Sequence, residues 1–132
     1  MFKIAYRRVA DVSPFVYLPG EDGLTLGMAA TLTSGALAKG TASVKPTHII
    51  MGPKREDGNY PAIEVNDNIV FETTSTATVA QTVVGSAVTL AADALTVTAT
   101  ATKGVFKVLT TDGATTNSTV TGVFVEPAAA AA

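Results

Sequence analysis

The chain has 132 residues, no cysteine, no tryptophan, a single histidine and a formal net charge of −2. That length suits one ordinary domain able to bury a core without disulfides or a metal, and the charge supplies no basic stripe for nucleic acid. Apolar residues reach 47% but aromatics only 6%, so Ala and Val carry a core of small side chains, each burying little area at about 25 cal/mol per Å².

The N-terminal "MFKIAYRRVADVSPFVYLPG" has no signal-peptide core, and no apolar run in the chain approaches the roughly 18 residues of a membrane-spanning helix. Synthesis in a cytoplasm, without membrane contact, is the expectation. The segment holds Phe2, Tyr6, Phe15 and Tyr17, the adjacent Arg7 and Arg8, and Pro14 and Pro19. It reads as an extended arm, residues 1–19, ahead of a β domain, 20–126, and a low-complexity Ala-rich tail, 127–132.

Within the domain, Leu24, Leu26, Met28, Ala30 and Leu32 alternate with a period of two, and "TSG" precedes Leu37. That predicts a hairpin whose turn uses Gly35 at positive φ. "THIIMG", "AIEVN", "IVFETTST", "GVFKVLTT" and "TVTGVFVE" are further β-branched runs separated by turn residues. "ALTVTATAT" places Leu95, Val97, Ala99 and Ala101 on one side and four threonines on the other, the pattern of a strand with one wet face. The Ala-rich stretch 77–94 has room for one short helix, against which Gly85 and its Thr and Val content weigh. The fold class is therefore all-β, a small barrel or sandwich of short antiparallel strands with an N-terminal arm.

Sliding the sequence by 58 positions aligns Gly27 with Gly85, Ala29 with Ala87, Thr31 with Thr89, Leu32 with Leu90, Ala36 with Ala94, Lys45 with Lys103 and Ile50 with Val108. Two readings stay open: two similar hairpin units closing on one another, or chance matches in a biased composition.

Candidate chemistry is sparse. His48 sits in an apolar run with no His, Cys or carboxylate beside it in sequence, which favours a structural role. An enzyme would need a cleft joining it to remote carboxylates such as Glu64 or Asp67. "KREDGNY" concentrates Lys54, Arg55 and Tyr60 in one loop, either a solvated tip or an interface. "EVNDN" lacks the spacing and glycine of an EF-hand, and "NST" at Asn117 is a bare three-residue match. No phosphate-binding glycine motif or nucleophile elbow occurs. No catalytic, cofactor or metal site is therefore assigned.

The order of pieces, "LTLGMAATLTSGALAKGTASVKPTHIIMG", a charged loop, "YPAIEVNDNIVFET", "VGSAVTLAADALTVTATATKGVFKVL" and "STVTGVFVE", resembles the small head decoration, or capsid cement, proteins of tailed bacteriophages over residues 20–126. The resemblance implies a β-rich body, often trimeric, seated on the exterior of an icosahedral head and clamping neighbouring copies of the major capsid protein. Localisation on the virion would follow. Phe2, Tyr6, Arg7, Arg8, Phe15 and Tyr17 of the arm, with Lys54, Arg55 and Tyr60 of the loop, are the candidate partner-binding residues, because aromatic and arginine anchors dominate interfaces. Another virion subunit from the tail or minor capsid, or a surface-layer β module, is the competing structural reading.

Overall fold

The computed structural model describes residues 1–9 and 14–127. The alanines expected to form a tail, 128–132, lie outside the described residues, as do positions 10–13 of the expected arm. Among the described residues ten strands form: β1 Lys3–Arg7, β2 Val16–Pro19, β3 Ala29–Thr33, β4 Ala36–Lys39, β5 His48–Ile50, β6 Asn59–Glu64, β7 Ile69–Thr74, β8 Ala87–Val88, β9 Phe106–Thr111 and β10 Thr119–Phe124. They make two antiparallel five-stranded sheets, ordered β1-β7-β10-β9-β8 and β2-β6-β5-β3-β4, whose buried residues form one continuous core. The fold is all-β. The Ala-rich stretch contributes a single 3-10 turn, Gln81–Val83, and the short strand β8.

The 58-residue offset recurs in the backbone hydrogen bonds. Gly27 N–H donates to the Ile50 carbonyl at 2.7 Å and Gly85 N–H to that of Val108 at 2.8 Å. Ile50 N–H meets the Met28 carbonyl at 3.0 Å as Val108 N–H meets that of Ser86, while Thr47 N–H bonds the Ala30 carbonyl as Val105 N–H bonds that of Val88. Strand pairing agrees, because Ala29 faces Ile49 as Ala87 faces Lys107. Composition bias produces chance letter matches but not matched ladders, so the chain contains two copies of one β unit. In the first, β2, β6, β5, β3 and β4 lie side by side. In the second, β7, β10, β9 and β8 hold the corresponding places.

Each unit also closes on itself. Gly20, at the end of β2, bridges Leu37 of β4 in parallel, and Ser75, at the end of β7, bridges Val97 in the same sense. Curling each sheet until its ends meet removes free edges, which exposed sheets otherwise leave as pairing templates.

Local chemistry explains where strands stop. The β3–β4 turn is Ser34-Gly35 with φ of 52° and 83°, the two positive values that a two-residue turn of the primed type requires. The strand expected through Leu24 begins only at Ala29, since Gly27 turns the chain at φ 81° and leaves Leu26 exposed. The strand expected over "ALTVTATAT" is likewise corrected: no regular strand forms there, and Val97 alone makes bridges, to Leu90 and Ser75, while Thr96, Thr98 and Thr100 share backbone hydrogen bonds with residues 89–91. Asp93 Oδ1 accepts from the backbone N–H groups of Leu95 and Thr96, and Ala94 sits at φ 55°. A local side-chain turn thus bends the segment that alternation alone would extend.

The arm expected to stand apart from the body is also corrected. β1 pairs antiparallel with β7 and β2 with β6. Phe2 is 2% exposed, its ring 5.6 Å from Phe106 and 5.1 Å from Phe124, while Phe71 lies 5.4 Å from Phe124. Four of the five phenylalanines therefore concentrate in one cluster, and the thin core expected from composition is thin only elsewhere, around Ala29, Ala30 and Ala62. Burying a phenyl ring and covering the β7 edge outweigh the entropy of ordering the N-terminus. A register shift between Ile4 and Tyr6 marks a bulge at Ala5, which turns Tyr6 outward where plain alternation would bring it inward behind Phe2 and Ile4.

Candidate functional site

Two places gather side chains with chemical potential. The first is built on β2. Its Val16 and Leu18 pack against the core while Tyr17, between them, is 48% exposed, the alternation a strand imposes. Tyr17 faces Pro61 and Pro19 faces Asn59, so the loop leading into β6 returns directly over β2. That loop is fixed by Arg55 N–H on the Asn59 carbonyl at 2.8 Å, by Gly58 N–H on the Arg55 carbonyl at 2.9 Å, and by Gly58 at φ 85°. The Arg55 guanidinium consequently lies over the Tyr17 ring, 4.5 Å from its centroid, a cation–π contact on the surface. Phe15, just before β2, is 45% exposed.

Lys54 is drawn to the same region. Its ammonium lies 2.8 Å from Asp22 Oδ1 and 6.0 Å from the Tyr60 ring. The hydrogen bond with Asp22 raises the lysine's pKa, and the same contact lowers that of Asp22. Asp22 is almost fully exposed, so the pair fixes orientation and adds little stability.

The candidate partner-binding residues thus divide. Phe15, Tyr17, Lys54 and Arg55, far apart in sequence, share the β2 side of the molecule. Tyr6 and Arg8 are exposed along and just beyond β1, in the other sheet. Arg7, half-buried, stands opposite Ile69. Phe2 and Tyr60 are removed from the binding set, being core residues at 2% exposure each; the Tyr60 hydroxyl donates to the Glu21 carbonyl at 2.9 Å.

The second place surrounds His48, which is 7% exposed. The β5–β6 register puts Glu64 directly opposite it. The two border a pocket of about 190 Å³ that also includes Lys45, Thr47 and Glu126. His48 Nδ1 and Thr47 Oγ1 are hydrogen-bonded at 2.8 Å, and Thr47 Oγ1 accepts the Leu32 N–H, also at 2.8 Å. Burial lowers the His48 pKa, and the Glu64 charge offsets part of that shift. Sequence proximity gave His48 no partner; strand register provides one. Lys45 and Glu126 had no assigned role, and no sequence signal links them, because only the packing of the β10 exit beside β5 brings Glu126 there.

The remaining motif, "EVNDN", is a turn. Asn66 Oδ1 accepts the Asn68 N–H at 2.9 Å, and the Asn68 side chain bonds the Val9 backbone at 2.7 and 3.0 Å, tying down the end of β1. Among the described residues no group of three His, Cys, Asp or Glu side chains is arranged to hold a metal.

No protein-family model, no curated protein and no solved structure matches this chain.

Proposed function

We propose that this chain is a structural binding protein, a capsid decoration protein that attaches to the outer surface of a bacteriophage head and joins neighbouring major capsid subunits. The observation carrying this reading is the surface on β2, where Phe15 and Tyr17 stand 45% and 48% exposed and Arg55 stacks on Tyr17. The exposed halves of these two rings are free to be buried against a partner, which makes such residues the anchors of an interface. The guanidinium already lies 4.5 Å from the ring centroid, so less side-chain entropy remains to be lost on binding.

The all-β body supports the same reading. β1, which among the described residues pairs only with β7 at the end of its sheet, offers the backbone groups of its outer side to a partner strand. Homotrimer formation belongs to the proposal, as does a place on the virion exterior after synthesis in the host cytoplasm. The test is co-sedimentation of the purified chain with empty heads assembled from its cognate major capsid protein. Saturable binding with one fixed ratio to capsid subunits is expected. Binding to tails or to no particle would remove the decoration reading.

A further inference from the structure

At one matched set of three neighbours the two units carry different chemistry. In the second, the neighbours Val88, Phe106 and Phe124 lie side by side across β8, β9 and β10. In the first, the corresponding neighbours across β3, β5 and β6 are Ala30, His48 and Glu64. The apolar pair is sealed by a side chain from a remote segment, Phe2, which packs on both rings. The polar pair borders the open pocket instead.

The pocket's chemistry defines what it takes. Two carboxylates, Glu64 and Glu126, face it from separate elements, with Lys45 as the one cation, so at neutral pH with His48 uncharged the lining is net negative. His48 is more than nine-tenths buried, and the hydrogen bond its ring makes among the described residues is that between Nδ1 and Thr47 Oγ1. In the Nδ1–H tautomer the ring donates to Thr47 Oγ1 and the Nε2 lone pair accepts a further donor; in the other tautomer Thr47 Oγ1–H donates to Nδ1. A cavity of about 190 Å³ has room for the end of one long side chain.

We propose that this pocket binds a lysine or arginine side chain of a protein partner, with Glu64 and Glu126 pairing its charge and His48 Nε2 accepting one of its N–H groups. The basic side chain fills in the first unit the role that Phe2 fills in the second. This site is separate from the β2 surface and does not depend on what the β2 surface binds. Protonation of His48 would place a second positive charge beside the ligand, so binding weakens as pH falls, with Glu64, Glu126 and Lys45 the other titratable groups facing the ring.

The experiment uses the full chain, following the His48 ring by NMR during titration with n-butylguanidinium chloride, and then with a Gly-Arg-Gly peptide capped at both ends. A saturable shift with both probes is expected, together with a lower His48 pKa when either is bound. The Glu64→Gln and Glu126→Gln variants, altered at exposed carboxylates, should each weaken binding on the order of tenfold. Neutral n-butyramide should produce no saturation. The assignment fails if neither cation saturates, if both variants bind like the wild type, or if magnesium chloride alone saturates the site. Binding of butylguanidinium with exclusion of the capped peptide would also overturn it, since the pocket would then take a free small cation and no protein side chain.

Discussion

At the scale of single residues, two positions show how packing and ionisation respond to the fold. Gly104 lies so close to β8 that a Cβ there would overlap the Ala87 carbonyl oxygen, a backbone atom that cannot move aside alone. Gly104→Ala is expected to cost on the order of 2–4 kcal/mol, as overpacking against a fixed backbone does, read as a lower urea midpoint. Gly85→Ala meets nothing within 4 Å but sits at φ 96°, so its cost, about 1 kcal/mol, is conformational. His48 responds to pH. Burial disfavours its imidazolium and lowers its pKa, so the folded chain binds fewer protons there than the unfolded one. The stability this contributes is fully present above about pH 6.5, the unperturbed value, and is lost as pH falls through the folded value. His48→Gln should flatten the decline of the urea midpoint between about pH 7 and pH 5; an unchanged slope would show that other groups set it.

At the scale of elements, the N-terminal strand decides between a removable arm and an integral part. Phe2 touches Phe106 and Phe124 from the start of β1, so Phe2→Ala should cost about 3–5 kcal/mol. Tyr17→Ala, at an exposed position, should stay within about 1 kcal/mol. Denaturant titration separates the two, and equal small effects would mean that β1 contributes little. Nothing local to "MFKIAYRR" announces its place, because its partner β7 is remote in sequence and the bulge at Ala5 breaks the alternation. The β3–β4 hairpin, by contrast, is legible because its Ser34-Gly35 turn and its partner strands are adjacent. "ALTVTATAT" shows the limit of periodicity, which reports which side chains share a face but not where a side-chain turn such as that of Asp93 interrupts a strand.

At the scale of the whole molecule, the duplication is the feature that sequence carries most faintly and structure most plainly. Gly27 and Gly85 survive in both copies because both sites need positive φ, at 81° and 96°. Most core positions do not, because any apolar residue of suitable size fills them. The repeated piece is scaffold, and the chemically distinctive groups stand where the copies differ or where added segments lie on them. β1, the loop bearing Arg55 and the His48–Glu64 pair are such places. The pocket was illegible in sequence because Lys45, Glu64 and Glu126 come from three separate segments that only the closed fold brings together.

The claim that organises these scales is attachment to a capsid through the β2 surface. Cryo-electron microscopy of heads mixed with wild-type chain and with the doubly substituted Tyr17→Ala, Arg55→Ala chain tests it directly, at concentrations where both variants are shown to be folded. Removal of two anchors should cost at least about 2–3 kcal/mol of binding, a loss of roughly 30- to 150-fold in affinity. The account predicts trimeric density over capsid subunit junctions for the wild type, with the β2 face towards the shell, and bare heads for the double variant at the same concentration. Full decoration by the double variant, or density with the β2 face turned to solvent, would contradict it.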